Sequence, residues 1–195
     1  MDLQQIKEKA LENHVPIIMD DTLEKITELL IEAKPKKLLE IGSAVGYSAI
    51  CFEKYVSDKI DTIEHDEERF LEAEQNIKAL NLENKINLIK GNAVEILQNM
   101  QIEKEEEKYD FVFIDAAKSK YPIFLEESLR LTTKNAIIVA DNVLYKGYVL
   151  SDYNKHKQRT AVRHLREFLQ MLKDNENLES EILEIGDGLA VVRKI

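Results

Sequence analysis

The sequence predicts an α/β fold: a mostly parallel seven-stranded sheet with helices on both faces and an antiparallel last strand. Three observations predict it. Apolar runs suited to buried strands alternate with helical patterns almost without interruption, as repeated βα units require. The polar, chemically useful residues fall at the C-terminal ends of those runs, where open α/β sheets bind ligands. The last run follows Gly186-Asp187-Gly188, a tight turn that joins antiparallel neighbours.

Taken in order, the strand runs are 38–41 (LLEI), 60–64 (IDTIE), 86–90 (INLIK), 109–115 (YDFVFID), 136–141 (AIIVAD), 181–185 (EILEI) and 188–194 (GLAVVRK). Helical patterns occupy about 20–33, 46–57, 66–80, 93–102, 119–131 and 158–173. The stretch DEERFLEAEQNIKAL shows why. Its leading acids suit the positive end of a helix dipole, and Phe70, Ile77 and Leu80 share one face. The 3 prolines and 6 glycines fall mostly at element boundaries, with no repeat, low-complexity tract or linker. A chain of 195 residues suits one core, so residues 1–195 are expected to form a single domain.

Composition narrows the function classes. No apolar run approaches the roughly 20 residues that span a bilayer, and MDLQQIKEKALENH is too mixed in charge for a signal or transit peptide. Cys51 stands alone, so an internal disulfide is excluded and a cytoplasmic location is expected. Cys51 falls on a helical pattern and reads as a small buried hydrophobe rather than a nucleophile. A net charge of −10 argues against gripping nucleic acid with the whole surface. The charge is uneven, however. Residues 101–108 (QIEKEEEK) read as a solvated acidic edge, whereas residues 145–173 carry seven lysines and arginines against Asp152 and Glu167.

The loop in LLEIGSAVGYSAI has Gly42 and Gly46 but lacks the middle glycine of a pyrophosphate-binding turn, with Ala44 in its place. Glu64 ends the next strand, 24 residues after Glu40, where an acid accepts ribose hydroxyls. The combination suits an adenosine ligand without a diphosphate, and so S-adenosylmethionine, with Ser48 near the methionine carboxylate. Asp115, Asp141 and Asn142 close successive strand runs and form an oxygen-only donor set. That set suits Mg2+, or Mn2+ or Ca2+ in its place, rather than zinc. The same residues would also serve as helix caps. Lys118, three residues past Asp115, is a candidate general base beside such a cation, or else a plain surface lysine.

These segments resemble the metal-dependent O-methyltransferases of the catechol and caffeoyl-CoA type. LLEIGSAVGYSAI resembles their cofactor loop, YDFVFIDAAKSKY and IIVADNVLYKG their two metal segments, and IGDGLAVVRK their terminal hairpin. The likeness runs from about Val15 to the end of the chain. It implies a Rossmann-like class I methyltransferase fold, commonly dimeric. It implies that Glu40, Gly42, Tyr47, Ser48, Glu64, Asn92, Ala93 and Asp115 surround S-adenosylmethionine. Asp115, Asp141 and Asn142 would then hold the metal, with Lys118 as the base.

Ala116 and Ala117 depart from the catechol-type pattern, which has histidine and tryptophan there, and this implies a less enclosed acceptor site. The N-terminal region is also shorter than the family's often is. NHVPII, GSAVGYSAI and KHKQRTAVRHLREFLQ resemble the bacterial branch that methylates 5-hydroxyuridine at the tRNA wobble position. The basic stretch agrees: Lys155, Lys157 and Arg159, interleaved with Tyr145, Tyr148 and Tyr153, suit phosphates and splayed anticodon-loop bases. An ordinary solvated basic helix face is the competing reading of that stretch, and His156 and His164 read as surface or packing residues. Small phenols are the alternative acceptors. A non-catalytic nucleoside-binding module is the alternative of another class, and an NAD-dependent oxidoreductase is disfavoured by the missing glycine.

Overall fold

The computed structural model of the chain describes residues 2–151 and 158–195. They fall into two compact units, divided after Met100. In the first unit the elements are α1 (Leu3–Glu12), α2 (Asp20–Ala33), β1 (Lys37–Ile41), α3 (Tyr47–Phe52), β2 (Lys59–Glu64), α4 (Glu67–Ala79), β3 (Ile86–Lys90) and α5 (Ala93–Asn99). In the second they are β4 (Tyr109–Ile114), α6 (Tyr121–Leu131), β5 (Thr132–Ala140), α7 (Arg159–Asp174), β6 (Leu178–Leu183) and β7 (Leu189–Lys194). The seven strands take the order β3-β2-β1-β4-β5-β7-β6, the mixed sheet that the sequence predicts.

Within the first unit, β1 pairs parallel with β2 and β2 with β3, in a register that sets Ile41 opposite Ile63 and Glu64 opposite Lys90. The residues that follow these three strands therefore emerge along one edge. Leu38, Leu39, Ile41, Ile60 and Ile63 are buried, and removing such side chains from water contributes roughly 2 kcal/mol each. The helix α1 is an addition to the predicted elements. Its start carries a capping box in which Asp2 accepts from the Gln5 amide while Gln5 accepts from the Asp2 amide, both at 2.9 Å. The pattern predicted over 46–57 closes earlier as a helix, at Phe52, and continues as a 3-10 turn over Glu53–Tyr55.

In the second unit, β4 and β5 are parallel with Ile114 opposite Ala140, so Asp115 and Asp141 leave the sheet side by side. β5 begins at Thr132, earlier than the apolar run alone suggests, because Thr132 pairs with Tyr109 across a register shift. β7 runs antiparallel to both β5 and β6, closing the Gly186–Gly188 hairpin as predicted. Along α7, Val162, Leu165, Phe168 and Leu172 form the buried stripe, at the spacing a helix half sunk in apolar surroundings needs. No helix among the described residues is long and apolar enough to cross a membrane.

Candidate active site

The predicted residues fall into two groups, one in each unit. In the first, the loop after β1 makes three residues of positive φ in five: Gly42 at 102°, Ala44 at 45° and Gly46 at 79°. The left-handed region is cheap for glycine and costs alanine on the order of 1 kcal/mol. Glu64 offsets that cost. Its Oε2 accepts the Ala44 amide at 2.8 Å, while Oε1 accepts the amides of His65 and Asp66, each at 2.8 Å. A buried carboxylate thus braces the loop from the end of the neighbouring strand. From the other side, Asn76 of α4 donates to Val45 O at 2.9 Å, and a Cβ on Gly46 would lie 3.4 Å from Ala73.

Glu40 is fully buried and accepts the hydroxyls of Ser48 and Thr62, each at 2.5 Å. A hydroxyl has one proton to give. Ser48, expected beside a methionine carboxylate, gives that proton to Glu40 in this structure. Tyr47 is buried with its phenol bonded to the Cys51 thiol, and burial raises the phenol well above its ordinary value. Burial likewise pushes Cys51 up to about 11, which suits the buried hydrophobe the sequence suggests and not a nucleophile. Asn92 caps α5, accepting the Val94 amide at 3.0 Å, with Ala93 opening the helix behind it. In the same loop, Ser43 Oγ is buried with no hydrogen-bond partner. No spacing pattern in the sequence marks Ser43.

The second group is tighter. Lys118 Nζ donates to Asn142 Oδ1 at 3.0 Å and lies 5.8 Å from the centroid of the Tyr145 ring. Asp141 is buried, and its carboxyl is pushed up to about 7, first by burial and then by the negative charge of Asp115. Burial also raises Asp115, against the pull of Lys118. Two carboxylates both raised by burial, one of them also by its neighbour's charge, are short of positive charge. Their oxygens, with the Asn142 amide oxygen, are the donors a hard divalent cation takes. Lys118 already places one cation on that amide oxygen. The residues therefore fit a divalent metal, although among the described residues no three His, Cys, Asp or Glu side chains cluster as a metal site.

The backbone around this pair is held from below. Tyr121, fully buried, donates its hydroxyl to Asp141 O at 2.7 Å, and the Asp141 amide donates to Ile114 O at 2.9 Å. Tyr121 closes the motif YDFVFIDAAKSKY, where nothing in the residue pattern assigns it a role. Its place at the start of α6, beside Pro122, was the available signal. Asn142 sits at φ 57°, a conformation asparagine tolerates, and its amide donates to Asp141 Oδ1 at 2.6 Å. Ala117 is exposed and Ala116 half-buried. Of the basic stretch, Lys155, Lys157, Tyr153 and His156 lie outside the described residues. The acidic edge is an exposed turn that pairs with its own lysines, as Glu105 does with Lys108 at 2.9 Å.

Comparison with known proteins identifies the family. A family model described as O-methyltransferase matches residues 2–195. The chain is 31% identical to a catechol O-methyltransferase of Niastella koreensis, over 87% of this chain and 79% of that protein. It is 29% identical to a caffeoyl-CoA O-methyltransferase of Populus kitakamiensis, over 87% and 74% respectively. Among solved structures, a Staphylococcus aureus protein provisionally called a caffeoyl-CoA O-methyltransferase superposes with a TM-score of 0.89 at 32% identity, covering 100% of this chain and 93% of that one. An O-methyltransferase from Bacillus cereus, solved with SAH, gives 0.88 at 25% identity over 99% and 90%. The seven-stranded sheet, the braced glycine loop and the matched family agree: the chain belongs to the O-methyltransferase family, in its caffeoyl-CoA and catechol type, and is an S-adenosylmethionine-dependent enzyme.

Proposed function

We propose that the enzyme methylates the 5-hydroxyl of 5-hydroxyuridine at the tRNA wobble position, with Asp115, Asp141 and Asn142 holding a divalent cation, Mg2+ foremost. The observation that carries the chemistry is the 3.0 Å contact of Lys118 Nζ with Asn142 Oδ1, beside the buried Asp141 and half-buried Asp115, both short of positive charge. A divalent cation held there supplies Lewis-acid stabilisation of a deprotonated hydroxyl, and S-adenosylmethionine supplies the electrophilic methyl group.

The chain's own residues do the rest. Lys118, in its amine form, takes the hydroxyl proton at Nζ, and Asn142 orients that nitrogen. The acceptor oxygen then forms its bond to the methyl carbon as the carbon–sulfur bond breaks, leaving S-adenosylhomocysteine. Glu64 and Asn76 keep the cofactor loop in its left-handed path, so positioning is settled before the substrate arrives.

Support for a tRNA acceptor comes from the exposed Lys146, Arg159 and Arg163 that follow Asn142 in the chain, and from the small Ala116 and Ala117. A second reading, a small vicinal diol or phenol, draws on the names of the catechol and caffeoyl-CoA relatives. The test is transfer of label from S-adenosylmethionine with Mg2+ to tRNA bearing 5-hydroxyuridine and, separately, to catechol and caffeic acid. Label in tRNA that falls steeply with added salt supports the first acceptor. Label in the phenols alone selects the second. We also infer a homodimer, which the exposed Leu3, Leu11, Met19 and Ile31 of the α1–α2 region support and which sedimentation velocity reads.

A further inference from the structure

Arg166 belongs to the basic stretch that the sequence offers to RNA phosphates, yet its guanidinium is turned to the protein. Nε donates to Val149 O at 3.0 Å, and one terminal nitrogen donates to Tyr148 O at 3.2 Å and to Ser151 O. Three of its five N–H groups are thereby committed to one short turn. That turn needs holding. Tyr145 and Lys146 both sit at positive φ, 44° and 57°, conformations that cost non-glycine residues on the order of 1 kcal/mol each. One end of the turn is fixed to the terminal hairpin, where the Leu144 amide donates to Asp187 O at 2.9 Å and the Lys146 amide to Asp187 Oδ1 at 3.1 Å. Arg166, from α7, fixes the other.

The turn has a direct line to the candidate base. Tyr148 packs edge-on against Tyr145 with ring centroids 5.8 Å apart, and the Tyr145 ring faces the Lys118 ammonium. We propose that Arg166 is a positioning residue for the acceptor side of the site: by tying the carbonyls of Tyr148, Val149 and Ser151 to α7, it holds Tyr145 over Lys118. Lysine cannot replace it, because an ammonium is a point donor and cannot span carbonyls in a fork. The kinetic part of this proposal rests on Lys118 acting as the base. The structural part does not.

The test compares Arg166→Lys, Arg166→Gln, Tyr145→Ala and the double variant Arg166→Gln/Tyr145→Ala in the full-length protein. Acetic anhydride labelling of Lys118, followed by mass spectrometry, reads the Tyr145 cover without any need for turnover. Labelling in both Arg166 variants should rise several-fold, to the level of Tyr145→Ala, and the double variant should go no higher. With whichever of 5-hydroxyuridine tRNA or caffeic acid the wild type methylates, Arg166→Lys should raise the acceptor KM about tenfold, the cost of roughly 1.4 kcal/mol. Affinity for S-adenosylmethionine should stay within twofold. Lys118 labelling in Arg166→Lys that equals wild type overturns the proposal. So does rescue of KM by lysine, which would instead mark Arg166 as a phosphate contact. If the wild type methylates neither acceptor, the proposed function fails while the labelling result still decides the role of Arg166.

Discussion

Glu64 Oε2 accepts the backbone amide of Ala44 at 2.8 Å, and Ala44 is the residue that stands where a dinucleotide loop would have glycine. The missing glycine is compensated by a carboxylate from the next strand. Glu64→Ala removes three charge-assisted hydrogen bonds at once and should destabilise the protein by about 2–4 kcal/mol. Affinity for S-adenosylmethionine should fall at least tenfold. Ala44→Gly, which relieves the positive φ, should leave stability unchanged or raise it by up to about 1 kcal/mol. Urea unfolding and calorimetric titration read both. A Glu64→Ala protein with wild-type affinity would show that the brace is irrelevant to the ligand.

Asp141 couples stability to pH with an unusual sign. Its folded carboxyl is raised from 3.8 to about 7, so between those values the folded state holds a proton that the unfolded state has released. Metal-free protein should therefore lose stability as pH rises from about 4 to 7 and lose no more from this group above that. Asp115, raised in the same direction, adds to the effect. Added Mg2+ must displace the proton. It should raise the melting temperature clearly at pH 8 and little at pH 5. Thermal melts with EDTA or Mg2+, on wild type and Asp141→Asn, check this. The idea sinks if Asp141→Asn keeps the full slope, or if Mg2+ stabilises equally at both pH values.

Lys118 is assigned the proton transfer, and its removal should separate chemistry from binding. Lys118→Met should lower kcat by about 10²–10⁴, the usual range for a positioned base. Affinity for S-adenosylmethionine should be unchanged. Single-turnover transfer to whichever proposed acceptor the wild type methylates, alongside calorimetric titration, gives the two numbers. Near-normal kcat in Lys118→Met would move the base elsewhere.

Much of this site was legible because strand ends announce themselves. A buried parallel strand that finishes in Asp115 or Asp141 puts a charge where the apolar pattern stops, and the β4–β5 register then sets the two side by side. What the sequence did not disclose are contacts that join residues far apart in the chain. Ser48 reads as a helix-start serine, but its proton goes to Glu40, eight residues back, a buried carboxylate that also accepts the Thr62 hydroxyl. Arg166 reads as surface charge on a basic helix until its partners, at Tyr148 to Ser151, come into view. The helix α1 is a different kind of omission. Its capping box, Asp2 with Gln5, was present in the sequence as a local signal.

Tyr121 holds the strand ends that carry the acids. Its hydroxyl donates to Asp141 O at 2.7 Å, with no solvent at hand to replace it. Tyr121→Phe keeps the ring packed against Phe168 but leaves that carbonyl without its donor, at a cost of about 1–3 kcal/mol. Because the same carbonyl belongs to a proposed metal ligand, Mg2+ affinity should fall more than a stability loss alone explains. Titration of Mg2+ below the melting temperature distinguishes the two. Unaltered Mg2+ affinity in a destabilised Tyr121→Phe would confine the tyrosine to folding.

Gly188 tests whether the terminal hairpin sets the acceptor loop. Its φ is +90°, and an added Cβ would lie 2.4 Å from Leu144 Cγ and 2.8 Å from Leu144 Cβ. Rotating the side chain can move Cγ but not Cβ, which the Leu144 backbone fixes at 2.8 Å. Gly188 O also accepts the Val143 amide at 2.9 Å, which ties the hairpin to the residues just after Asn142. Gly188→Ala should therefore destabilise by about 3 kcal/mol or more, combining backbone strain with overpacking. Adding Leu144→Ala removes the Cγ contact but keeps the 2.8 Å contact with Cβ and the strain, so the double variant should recover part of the loss. The coupling measured across that cycle is the part of the clash made by Leu144 beyond its Cβ. A Gly188→Ala protein within about 1 kcal/mol of wild type, or a double variant showing no coupling, would mean that the hairpin yields and does not fix the loop.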